Sequence, residues 1–268
     1  MSFSAVFIVV LIWAILTLKT SRPDGMMVGY LHPYRKLLLY IMPKKAESTV
    51  YYEDAVIADN LFAYLEKARD KFGANISHLL IAATAGALRK NPNMNRFILG
   101  RRLYQRDGLW ITFSMKRKKL DKKSKVATVK LEMFGDENFT ELTKRINERI
   151  ELQRSEHVTY EDNELGLFAR IPRPILRLCV EAFKCVDYFN LLPGEFIEKD
   201  GLYTSAFLAN LGSLDMKPGY HHLFEWGNCP IFIMAGKVEE RVIPIDGKPV
   251  IKNVLPLKIT YDERVDDG

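Results

Sequence analysis

At 268 residues, with 48% apolar and 27% charged positions, the chain can bury a sizeable core and is too balanced in composition to be disordered or fibrous. A net charge of +6 suits an anionic partner such as a nucleotide-containing cofactor or a membrane face, and nucleic acid is not among the partners expected. Cys179, Cys185 and Cys229 are odd in number and lack metal-ligand spacing, which excludes a disulfide framework and points to reduced thiols in a cytosolic domain, with no metal.

Phe3 to Leu18 is almost uninterrupted apolar sequence, followed by Lys19 and Arg22. It stands at the lower limit, about 17 residues, for a helix that crosses a bilayer. No positive side chain precedes the run and no small-x-small cleavage site follows it, which argues against a signal peptide. Lys19, Arg22, Arg35, Lys36, Lys44 and Lys45 all follow it and place the body of the protein in the cytoplasm. Residues 1–19 are therefore expected to form a transmembrane or membrane-anchor helix, the alternative being a helix buried against the domain. Residues 20–29, with Pro23-Asp24-Gly25, are expected as a linker. Residues 30–268 are expected as one α/β domain.

Within that domain, Tyr30 to Met42 has apolar residues at helical spacing, and Ser48 to Ile57 is β-branched and aromatic, a strand. Asn60 to Phe72 is an amphipathic helix. Asn75-Ile76-Ser77 caps a second helix, His78 to Lys90, apolar enough to be buried nearly all round. Asn95 to Tyr104, Leu109 to Lys116 and Val126 to Met133 read as successive strands, with a turn at Asp107-Gly108. The basic stretch Lys116 to Lys125 between the last two reads as a solvated hairpin tip, or else as a landing patch for phosphates or an anionic membrane. Phe139 to Arg154 and Arg170 to Phe189 are helical, the latter interrupted near Pro172 and Pro174. Tyr203 to Leu211 and Cys229 to Val238 are buried strands, and Ile245-Asp246-Gly247-Lys248 turns a final hairpin.

Three segments, in order and spacing, carry a family resemblance. The closing residues Asp262-Glu263-Arg264-Val265-Asp266-Asp267-Gly268 are similar to the Asp-His-Arg-x-x-Asp-Gly signature of the 2-oxoacid dehydrogenase acyltransferases, relatives of chloramphenicol acetyltransferase. His78 to Phe97 resembles the family's central apolar helix and the Pro-x-x-Asn turn after it. Tyr203 to Ser213 resembles the strand that ends in Ser-Asn-Leu-Gly, matching at Asn210, Leu211 and Gly212. The resemblance covers residues 30–268.

It implies a two-layer α/β sandwich, a mixed sheet covered by helices, assembled as a homotrimer with the active site between subunits. It also implies acyl transfer from coenzyme A through a tetrahedral intermediate, with donors stabilising the oxyanion. A covalently attached lipoyl group is not expected, and the family's closing helix has no counterpart before Gly268. Glu263 stands where the family has its base histidine, and Ala209 where it has a serine. On this pattern Glu263 and Asp267 are the catalytic candidates, with His222, or His221 beside it, as an alternative base. Ser205 or Ser213 would give oxyanion support, and Asn210, Gly212 and Arg264 would bind substrate or cofactor. Three functions follow. One is a coenzyme-A-dependent acyltransferase acting on a small-molecule or lipid-linked acceptor. The others are an inactive trimeric scaffold or binding protein at the membrane, and a membrane-surface module.

Overall fold

The computed structural model describes residues 3–116, 126–154 and 171–266. A seven-stranded mixed sheet organises it. The strands are β2 (Thr49–Ile57), β5 (Trp110–Lys116), β6 (Val126–Glu132), β7 (Ala206–Asn210), β8 (Ile231–Ala235), β9 (Glu239–Ile245) and β10 (Lys248–Asp262). Their spatial order is β2-β10-β8-β7-β5-β6, with β9 folded back on the first half of β10. The central strands β5, β7 and β8 run parallel, and the flanking pairs are antiparallel. A smaller sheet joins β1 (Gly25–Met27), β4 (Arg102–Arg106) and β3 (Arg96–Leu99) in that order.

Alternation along β7 divides the molecule into layers. Ala206 and Leu208 face the helices α4 (Ile76–Lys90) and α5 (Phe139–Arg154), where Ile81, Ala85, Leu142 and Ile146 meet Ile111, Val129 and Ile231. Phe207 and Ala209 face the other way, into a second cluster with Phe232, Met234, Leu223 and Cys229. Helix α3 (Asp59–Phe72) leans on α4 through Leu65 and Ala68. The expected fold class is the one found.

Four local expectations are revised. Only His78, Ile81, Ala85 and Leu88 of α4 are buried, and Ala83 and Ala87 are exposed. Small residues raise apolarity without demanding cover, and the sheet covers one side. The single strand expected over 95–104 is a β3–β4 hairpin, turned by Gly100 (φ 55°) and Arg101 (φ 59°), a left-handed pair that suits such two-residue turns. A Cβ at Gly100 would lie 2.5 Å from the Tyr188 carbonyl oxygen, so the turn needs glycine for space as well as for φ. The helix expected over 170–189 is α6 (Arg173–Tyr188), with Pro174 in its first turn, where its missing N–H is no loss. Finally, the stretch expected as linker carries β1 and a buried polar network. Arg22 donates to Asp24 (2.8 Å), Asp187 (3.0 Å) and Asn190 (3.1 Å), while Tyr203 donates to Asp187 (2.7 Å). Burial pushes the Asp187 carboxyl above its ordinary range; burial also opposes the Asp24 charge, but Arg22 and Arg106 hold that carboxyl below its ordinary range.

The apolar N-terminus is α1 (Phe3–Leu18). Among the described residues no helix is long and apolar enough to cross a membrane. The sixteen residues of α1, at about 1.5 Å each, reach about 24 Å against a hydrocarbon core of about 30 Å. The expected transmembrane span is therefore not found in α1. Its C-terminal end is held by Arg102, which donates to the carbonyls of Thr17 and Lys19, and by Asn190, which donates to Lys19 at 2.9 Å.

Candidate functional site

Two groups of the residues singled out in the sequence lie at opposite ends of the sheet. The first is the closing motif. Its aspartate and arginine form a buried lock: Arg264 Nε and Nη2 donate to the two Asp262 carboxylate oxygens at 2.8 and 2.6 Å. Nη1 donates to the Met42 carbonyl at 2.8 Å, and the Arg264 amide also caps Asp262. Val265, fully buried, packs on Leu39, Ile98 and Leu103. Glu263 sits between these buried neighbours, its amide bonded to the Ser48 carbonyl at 3.0 Å. Its half-buried carboxylate makes no hydrogen bond or ion pair with another described side chain. Asp267 lies outside the described residues.

Arg264 lines a cavity of about 540 Å³ under α6, whose wall includes Lys45, Glu225, Trp226, Tyr203 and Arg101. Its guanidinium is committed to Asp262 and Met42, so within one chain it holds the turn together. Lys45 was not picked out from the sequence as a site residue. It is buried and donates to the carbonyls of Phe224 and Gly227, both at 2.8 Å, and burial drives its pKa down. Lys45 and Ser48 thus tie the 224–227 loop to the closing motif.

The second group gathers where β7 ends. Asn210 Nδ2 donates to the hydroxyl of Ser77 at 3.0 Å, on the first turn of α4. Gly212 lies so close to the chain after β8 that a Cβ would stand 2.5 Å from the Gly236 carbonyl oxygen. Ser213 caps the turn by donating to the Asn210 carbonyl at 2.8 Å. Ser205 is fully buried at the other end of β7, where its hydroxyl accepts the Trp110 amide at 3.0 Å. Ser77, a hydroxyl in contact with Asn210, was missed because it read only as part of a helix cap.

The histidines lie on the sheet face opposite the Asn210–Ser77 contact. The His221 ring stacks on Phe232 at 4.1 Å and on His222 at 4.7 Å. Phe232 belongs to the same sheet face as Ala209, which pairs with Met234 two residues on, about 7 Å along the strand. One chain therefore places His221 and His222 on the Ala209 face, whereas the Asn210 side chain projects to the helix face, to Ser77 at the head of α4. Nor does it bring Glu263 to Asn210. Asn210 pairs with Ala235 and Ala235 with Leu257, whereas Glu263 follows Asp262, five residues further along β10. That is about 17 Å.

His78, at the head of α4, has a structural place. It is fully buried, accepts the Asn75 amide on Nδ1 (3.1 Å) and contacts Asn147 through Nε2 (3.1 Å), so the neutral ring carries its proton on Nε2.

No family model matches the sequence, and no curated protein matches it. Solved structures do. A probable dihydrolipoamide acetyltransferase from Listeria monocytogenes superposes with a TM-score of 0.57 at 13% identity, over 91% of this chain and 88% of that one. The fold is that of the acetyltransferase catalytic domains. The dihydrolipoamide acetyltransferase of Azotobacter vinelandii gives 0.56 at 15% identity, over 89% and 85%. A truncated catalytic core of the 2-oxoacid dehydrogenase complex from Thermoplasma acidophilum gives 0.55 at 12%, over 90% of each chain. The architecture that the closing motif implied is thus the one the chain adopts.

Proposed function

We propose that the protein is a coenzyme-A-dependent acyltransferase whose site is completed only between two copies, as a homotrimer of the acetyltransferase type would arrange. The observation that carries this is the separation within one chain of Glu263 from the Asn210 turn, in a fold shared with solved acetyltransferases. A closed ring of copies sets one end of each sheet against the other end of its neighbour's. In this reading the Asp262–Arg264 lock fixes the closing turn so that the Glu263 carboxylate can accept the proton of the attacking thiol or hydroxyl. Asn210, with Ser77 and Ser213 beside it, orients the thioester end of coenzyme A, and Gly212 keeps the turn close to the sheet. Asp267 has the supporting role the motif assigns it. His222 is the alternative base, on the loop that covers the Ala209 face of the sheet. Attachment through the N-terminus, with the body in the cytoplasm and a small-molecule or lipid-linked acceptor, belongs to the same reading.

A second reading is favoured by Ala209. The family's serine is replaced, and no described side chain hydrogen-bonds the Glu263 carboxylate to orient it. A trimeric scaffold that keeps the pocket without turnover would look the same. Release of free thiol from acetyl-coenzyme A and longer acyl donors decides between them. In the acyltransferase, Glu263→Gln lowers acceptor-dependent release by about 100-fold or more, the usual weight of a general base. An unchanged rate in that variant with a collapse in His222→Ala moves the base to the loop. Binding of coenzyme A without any release establishes the scaffold.

A further inference from the structure

The cavity of about 540 Å³ under α6 stands apart from the acyl transfer proposed above, since none of Glu263, Asn210 and His222 lines it. It has the size that holds a small organic ligand. Two exposed rings of α6, Phe183 and Tyr188, line it together with Trp226, whose ring centroid lies 6.1 Å from that of Phe183. Leu39 of α2 (Pro33–Ile41) adds an aliphatic wall with Ile98 and Leu99 of β3. The β3–β4 turn completes the enclosure. Gly100 lets that turn run against the Tyr188 carbonyl and so brings Arg101 into the wall.

Five cationic side chains and two acids share the wall, and most of them are already satisfied within the protein. Arg22 and Tyr203 occupy the Asp187 carboxylate, Asp262 holds Arg264, and Lys45 donates to the Phe224 and Gly227 carbonyls. Glu225 accepts the Ala46 amide at 3.1 Å, and Lys184 pairs with Glu181 at 3.0 Å. Two exposed cations are left, Lys44 and Arg101. The Arg101 guanidinium lies over the Tyr40 ring at 5.4 Å, and among the described residues neither cation meets a carboxylate.

Rings and cations pull in opposite directions. Bare aromatic faces attract a cation, whereas a concave wall with an excess of positive charge repels one and concentrates anions. An exposed cation–π contact is worth no more than a single ion pair, so the excess of cations over acids decides for an anion. The rings are then left for the apolar body of the ligand. We propose that the cavity under α6 binds an aromatic anion, its flat body against Phe183, Tyr188 and Trp226 and its carboxylate or phosphate toward Lys44 and Arg101. Arg101 suits either group, because a guanidinium offers paired donors to two oxygens at once.

The test is isothermal titration of the full chain with naphthoate, naphthyl phosphate and the uncharged naphthamide. Both anions should bind at least fivefold more tightly than the amide, and the tighter of the two identifies the anionic group. Lys44→Gln with Arg101→Gln, both at exposed positions, should bring the anions down to the affinity of the amide while leaving the melting temperature unchanged. Tyr188→Ala should weaken all three probes at least threefold. An amide that binds as well as the anions overturns the inference, and so do anions that ignore both variants. Failure of every probe to bind at millimolar concentration overturns it too. If coenzyme A displaces naphthoate, the cavity is part of the acyl-transfer site and the inference of a separate one fails. None of these readings uses thiol release, so the acyltransferase proposal stands or falls on its own experiment.

Discussion

At the scale of single residues, the closing motif rests on two buried side chains. Asp262 and Arg264 satisfy each other with both side chains almost wholly buried, and breaking such a buried pair typically costs about 3–5 kcal/mol, so the lock persists whatever stands between them. Glu263 bears none of that structural burden through its side chain. His78 can be tested by pH. Burial lowers its pKa below 6.5, the contact with Asn147 opposing this only in part. The unfolded chain therefore binds more protons than the folded one once the pH drops through about 6.5, and stability falls by at most about 1.4 kcal/mol per unit. His78→Leu should be less stable than wild type near neutrality, with the gap narrowing from about pH 7 to about pH 5 in denaturant titrations, because the variant has no proton to take up.

At the scale of elements, the order of helices and strands could be read from periodicity and turn chemistry because most elements bury one side. What escaped had physical reasons. The β3–β4 turn uses an arginine at positive φ, with no Asn-Gly to announce it. Arg22 and Asp24 look like solvated turn residues until Asp187 arrives from 165 positions away. The Asn210-Leu211-Gly212 segment could be found by resemblance, but not its reason, which is a near collision between Gly212 and Gly236. Gly212→Ala should force two backbones apart. It is expected to destabilise by about 1–3 kcal/mol, as overpacking does, and to displace Asn210. Urea midpoints measure the first effect. Loss of coenzyme A binding beyond the loss of fold measures the second.

For the whole molecule, the candidate site could be read only in halves. The sequence could name both ends of it, Asn210 and Glu263, and could not show that one chain holds them about 17 Å apart along the strands. That distance is a property of the register of β7, β8 and β10, which no local pattern specifies. It makes a definite statement about mixtures. Asn210→Ala and Glu263→Gln, each inactive alone, should regain turnover when denatured together in equal amounts and refolded, with about a quarter of the sites intact if copies assort at random around a ring. Mixtures no more active than their parts would show that the site is not shared.

The same separation reaches into heredity. Two alleles damaged at opposite ends of the strands would rescue one another in a single cell, while two damaged at the same end never could. A cross between mutants would then sort the lesions into two classes, and the classes would be the two ends of the sheet.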